Sequence, residues 1–134
     1  MFPKDTTILV VDDSQTLRSR LAADLGELGF TKLIERSDGD EGWDALESNY
    51  REGRPIGLVL LDIRMERVNG LELLARIRQS AAFSGLPVVM VSAESGKKSL
   101  IEAIKIGANG YVFKPFERQA LERCLESVWQ RVSG

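Results

Sequence analysis

Ile8-Leu9-Val10-Val11-Asp12-Asp13-Ser14 is the stretch that decides the fold. Four consecutive apolar residues describe a strand covered on both faces, and the two acids and the serine that follow end it abruptly. Ser14 suits a helix N-cap, because its hydroxyl can accept from an unpaired amide of the first turn. Beyond it Leu17, Leu21, Leu25 and Leu28 recur at three to four residues, the helical period, until Gly29 stops the helix.

The same alternation continues outward four more times. Leu33-Ile34 is a weaker, edge-type strand, and Asp38-Gly39-Asp40 leads into a helix carrying Trp43, Leu46 and Tyr50. Leu58 to Leu61 is the next strong strand, followed after Gly70 by a helix with Leu71, Leu74 and Ile77. Val88 to Val91 precedes a helix marked by Leu100, Ile101 and Ile104 and closed by Gly107. Tyr111-Val112-Phe113 is the fifth strand, and Leu121, Leu125, Val128 and Val132 give the last helix its apolar face. Strands alternating with helices imply right-handed parallel crossovers and a sheet covered on both sides. The expectation is one α/β domain over residues 1–134, flavodoxin-like, a doubly wound five-stranded parallel sheet in the order 2-1-3-4-5.

Composition narrows the function. A chain of 134 residues is one domain's length, and area scaling gives it roughly 7,000 Å² of folded surface. Eighteen Lys plus Arg against twenty Asp plus Glu leave a net charge of -2, no global field for nucleic acid or an anionic membrane. No apolar run approaches the roughly 18 residues of a membrane span, and residues 1–7 lack the pattern of a secretory signal. The one cysteine, Cys124, cannot form an internal disulfide, which points to the reducing cytoplasm. The absence of histidine removes Ser-His-Asp triads, histidine zinc sites and any phosphohistidine carried by this chain. Trp43, Trp129 and Cys124 read as packing residues.

Ligands of such folds bind beyond the carboxyl ends of the strands, near the reversal of strand order between the first and third. Asp12 and Asp13, Asp62, Ser92 and Lys114 follow the first, third, fourth and fifth strands, so three carboxylates, a hydroxyl and an amine converge on one rim. Two carboxylates about 4 Å apart repel by roughly 4 kcal/mol at an effective dielectric near 20, so the cluster asks for a cation. With oxygen ligands only, that cation is magnesium, or manganese in its place. A carboxylate whose charge is offset in this way can act as a nucleophile toward phosphorus, and Asp62, on the central strand, is best placed.

These residues resemble the receiver domains of two-component response regulators, the stand-alone chemotaxis type above all. The matching pieces are Val10-Val11-Asp12-Asp13-Ser14, Leu60-Leu61-Asp62, Met65, Gly70, Val91-Ser92-Ala93-Glu94 and Gly107-Ala108 through Gly110-Tyr111-Val112-Phe113-Lys114-Pro115-Phe116, spread over essentially the whole chain. The resemblance implies that Asp62 is the phosphoacceptor, that Asp13 binds magnesium directly and Asp12 mainly through water, and that Arg64 adds its backbone carbonyl. It implies that Ser92 moves toward the phosphoryl group, that Lys114 pairs with it, that Tyr111 is the switch aromatic and that Lys114-Pro115 is cis. It implies a histidine kinase or phosphotransfer protein as donor. It places output on the fourth helix, fifth strand and fifth helix, about Ser95 to Gly107 and Gly110 to Arg131.

Two positions depart from the pattern: Glu66 stands where Pro is usual, and Asn69 where Asp commonly precedes the Gly. Arg64 and Glu94 lie two residues after Asp62 and Ser92, from where an ion pair would form a partial gate over the acceptor. A nucleotide-binding flavodoxin-like enzyme is disfavoured because the first turn is Asp12-Asp13-Ser14-Gln15, not a glycine-rich cradle. A DNA-binding regulator is disfavoured because the chain ends after the fifth helix. The expectation is a switch that catalyses its own phosphorylation and dephosphorylation and turns over no external substrate. The alternatives are a receiver cut from a larger kinase, cyclase or transcription regulator, and a phosphorylation-independent scaffold.

Overall fold

A computed structural model describes residues 1–65, 68–93 and 97–134. The strands are β1 (Thr7–Val11), β2 (Lys32–Arg36), β3 (Leu58–Leu61), β4 (Val88–Ser92) and β5 (Gly110–Phe113). The helices are α1 (Gln15–Glu27), α2 (Gly39–Arg51), α3 (Gly70–Gln79), α4 (Lys97–Ile106) and α5 (Arg118–Ser133). All neighbouring strands run parallel in the order β2-β1-β3-β4-β5, as the alternation predicts. Accessible surface is 6991 Å².

The sheet separates two apolar layers, and strand alternation decides which residue enters which. Leu9, Val11, Val59, Leu61, Val88 and Met90 point to the side covered by α2, α3 and α4, with Leu46, Leu73, Leu74 and Ile77. Ile8, Val10, Leu58, Leu60, Val89 and Val91 point to the side of α1 and α5, with Leu21, Leu25, Leu121, Leu125 and Val128. Burying each such side chain contributes about 1.5 to 3 kcal/mol, so the central strands must be apolar throughout. On the edge strand β2 only Leu33 and Ile34 are inward enough to be apolar.

Ser14 caps α1 by accepting from Leu17 N at 3.2 Å, and Asp38 and Asn69 cap α2 and α3 in the same way. Asn69 therefore fulfils the capping role that Asp would serve there. Gly29 and Gly107 end α1 and α4 with φ of 101° and 124°, in the left-handed region that favours glycine. Trp43 packs edge-on against Phe83, and Trp129 packs against Phe2. The fourth helix differs from its apolar pattern: Ala103 is its one fully buried residue, while Ile101 and Ile104 are 47% and 59% exposed. Leu100, Ile101 and Ile104 mark the helix correctly but do not face the core.

Candidate functional site

Register brings the acids together. Val11 pairs with Leu61, and Asp62 N donates to Val11 O at 3.0 Å, so Asp12 and Asp62 leave adjacent strand ends side by side. On the other flank Ser92 pairs with Phe113, and Lys114 N donates to Ser92 O at 2.9 Å. A cleft of about 180 Å³ is lined by Asp62, Arg64, Ser92, Ala93 and Lys114. A larger groove of about 680 Å³ lies beside β2 and the α2–β3 loop, among Leu33, Asn49 and Arg54, and brings together no comparable set of reactive groups.

Asp12, Asp13 and Asp62 each offer a carboxylate oxygen within 4.8 Å of the others. Asp12 and Asp62 are buried, and Asp13 is exposed on the rim. Lys114 reaches across them, its Nζ 2.8 Å from Asp12 Oδ2 and 3.5 Å from Asp62 Oδ2. One ammonium against three acids leaves an excess of negative charge, and an all-oxygen donor set of this kind fits a hard divalent cation such as magnesium. Burial raises the Asp62 carboxyl above its ordinary value; Asp12's charge adds to the rise, and Lys114 and a hydrogen bond from Ser92 oppose it without cancelling it.

Ser92 is 1% exposed, and its hydroxyl is in hydrogen-bonding contact with both the Asp62 carboxyl and the Tyr111 phenol. Burial raises the Tyr111 phenol and the charge of Asp62 adds to this, against the hydrogen bond with Ser92. Arg64 is exposed on the rim of the cleft. Glu94, its expected partner, lies outside the described residues, as does Glu66. The Lys114-Pro115 bond is cis, as expected.

Two supporting residues, Arg18 and Arg20, escaped the sequence reading, and Gly70 entered it only as the start of a helix and a piece of the family pattern. Arg18 of α1 donates Nη1 to the Asp12 carbonyl and stands 3.5 Å from Glu35, securing the turn that carries both acids. Arg20 donates to Phe116 O at 2.7 Å, two residues after Lys114. Gly70 opens α3 so close to the end of β3 that a β-carbon there would lie 2.0 Å from Asp62 O. The arginines have the spacing of ordinary polar positions of an amphipathic helix, and the sequence gives no sign of how near Gly70 comes to β3.

A parallel sheet with acids, hydroxyl and lysine gathered at its carboxyl edge defines a class of small α/β signalling switch. The chain belongs to the response regulator receiver domain family, whose pattern matches residues 8–126. Members of this family are phosphorylation-activated switches of two-component signalling. The chain is 38% identical over 127 residues to a chemotaxis protein CheY homolog of Campylobacter jejuni, covering 95% of each. It is 36% identical to chemotaxis protein CheY1 of Helicobacter pylori, covering 90% of this chain and 94% of that one. Among solved structures it is similar to the CheX-CheY-BeF3-Mg complex of Borrelia burgdorferi, at a TM-score of 0.83 and 26% identity, covering 92% of this chain and 89% of that one. None of the described helices is long and apolar enough to cross a membrane.

Proposed function

We propose that the chain is a chemotaxis-type switch whose Asp62 accepts a phosphoryl group with magnesium held by Asp12, Asp13, Asp62 and the backbone carbonyl of Arg64. The observation that carries this reading is the meeting of three carboxylates with Lys114 and Ser92 around one cleft. Magnesium, when bound, supplies positive charge that offsets the phosphoryl oxygens. An Asp62 oxygen attacks phosphorus, the phosphorus–nitrogen bond of a donor phosphohistidine breaks, and its electron pair returns to the donor's ring nitrogen, which takes a proton. That histidine comes from a kinase or phosphotransfer protein, since this chain has none. Lys114 exchanges part of its pairing with Asp12 for a phosphoryl oxygen, and the Ser92 hydroxyl donates to another.

The response leaves the site through Ser92 and Tyr111, whose contact ties the acceptor to β5. Output then falls on α4, β5 and α5, where Ile101, Ile104 and Phe113 are exposed large apolar residues. A protein partner on this face is in keeping with the similarity to a CheY that forms a complex with CheX.

The test is beryllofluoride titration with magnesium followed by amide NMR, beside acetyl phosphate labelling of wild type and Asp62→Asn. Saturable shifts at Asp62, Ser92 and Tyr111, and labelling of wild type alone, are expected. Hydroxylamine-labile phosphate on Asp62→Asn would reject the acceptor, and shifts confined to α1 and α2 would reject the output face.

A further inference from the structure

At the end of the sheet opposite the acids, one arginine of α3 ties together the loop before β4 and the turn between α4 and β5. Arg78, near the end of α3, donates Nε to Gly107 O at 2.9 Å, Nη1 to Leu86 O at 2.7 Å and Ser84 O at 3.1 Å, and Nη2 to Asn109 Oδ1 at 2.8 Å. Asn109 Oδ1 also accepts from Val88 N at 2.8 Å, and Asn109 O accepts from Arg131 Nη2 of α5 at 2.6 Å. The knot joins α3, the loop before β4, the end of α4, the start of β5 and α5.

The guanidinium has no carboxylate partner among the described residues, and it is half-buried. Its charge is met by carbonyl dipoles, and the Gly107 carbonyl belongs to the carboxyl end of α4, where a cation is favoured. Arg78 thus caps α4 from a neighbouring helix. The fit is close: a β-carbon on Gly107 would come within 2.8 Å of Arg78 Nε. This cap matters more for α4 than it would elsewhere, because Ala103 is the helix's single fully buried residue, whereas α3 buries Gly70, Leu73, Leu74 and Ile77. Beyond Ala103, only Ile106 of α4 packs against the core, at the same carboxyl end that the arginine knot holds, so that end is the anchored one.

We infer that Arg78 is a pivot pin: it fixes the Gly107 end of α4, so that movement started at the phosphoryl site is confined to the amino-terminal half of that helix. The inference rests on the proposed switch function for its source of movement. The pin itself is present without it.

The two parts are tested separately on the full chain. Without ligand, amide hydrogen exchange should show Gly107 and Ala108, whose amides bond to Ala103 O, well protected in wild type and exchanging at least about tenfold faster in Arg78→Gln. Arg78→Lys, which keeps the charge but loses the fork, should fall between them. Unchanged protection in Arg78→Gln would overturn the pin. If that variant does not fold, Asn109→Ala, which removes one of the arginine's acceptors, should produce the same local loss to a smaller degree, and no loss there would count equally against the pin.

With beryllofluoride and magnesium, wild type should show amide shifts in Leu100 to Ala103 that exceed those in Ile106 to Asn109, and the Arg78 variant should lose this gradient. Equal shifts at both ends of α4 in wild type would overturn the confinement of movement. Absence of any shift anywhere would instead reject the proposed switch, leaving the exchange result to decide the pin.

Discussion

The Lys114 ammonium stands closer to Asp12, at 2.8 Å, than to Asp62, at 3.5 Å. In the resting molecule the lysine therefore occupies an oxygen that a divalent cation would also seek. Lys114→Met should bind magnesium about five- to tenfold more tightly, because one competing positive charge is gone, while labelling by acetyl phosphate falls. The rise of melting temperature across a magnesium series, compared with wild type, measures the first effect. Weaker binding in the variant would mean that the lysine organises the acids more than it competes for them.

Asp62 sets a pH dependence of stability. Its carboxyl is raised by burial, so the folded chain holds this proton to higher pH than the unfolded chain does. The folded state binds more protons across that interval, and stability falls as pH rises from the ordinary carboxylate range through the raised value. Asp62→Asn, which removes the imperfectly compensated charge, should be more stable than wild type near neutral pH by about 1 kcal/mol or more. The advantage should shrink as pH falls from the raised value to the ordinary carboxylate range and change no further below it. Urea unfolding at both ends of that range decides it, and an advantage independent of pH would assign the effect to packing.

Magnesium should change intrinsic fluorescence only weakly. Trp43, on α2, packs against Phe83 and the Arg76 guanidinium, and Trp129, on α5, lies against Phe2. Neither lines the cleft of Asp62, Ser92 and Lys114, and Ile63, not a tryptophan, follows Asp62. Strong saturable quenching by magnesium would place an indole nearer the acids than these contacts do.

Gly70→Ala should damage stability and site together. Its new methyl would meet the Asp62 carbonyl at 2.0 Å, and the obstacle is backbone, which cannot rotate aside. A loss of about 1 to 3 kcal/mol is expected, with slower acetyl phosphate labelling from a displaced Asp62. Gly26→Ala is the control: nothing lies within 4 Å of its β-carbon position, and a helical glycine replaced by alanine should gain about 0.5 to 1 kcal/mol. Both values come from denaturant unfolding. Equal effects would show that the close approach at Gly70 is relieved without consequence.

What the sequence discloses follows from which contacts leave a pattern. Val10-Val11 and Leu60-Leu61 are apolar on both faces because both faces are covered, so central strands and the acids that end them are readable directly. Leu33-Ile34 is a weaker signal because β2 has one neighbour. Arg20 and Arg78 leave no such trace. Each satisfies a carbonyl in a distant segment, and a solvated arginine on a helix has the same spacing as one that reaches across the fold. In α4 the period was visible while the facing was not, because small Ala103 fills the close contact and the larger isoleucines remain outside.

The strand β5 closes one side of the sheet with four residues. Among the described residues no strand lies on its outer side, and such an edge invites stray strand pairing with another chain. The hazard is reduced at the start of the strand, where α5 lies so near that a β-carbon on Gly110 would be 2.9 Å from Cys124 Sγ and Val128 Cγ2. Farther along, the Tyr111 and Phe113 rings, 4.7 Å apart, put aromatic bulk beside the margin. If the proposed output face is used, a partner seated over these rings would also shield that edge from self-association, and the same few side chains would bear on both solubility and partner binding.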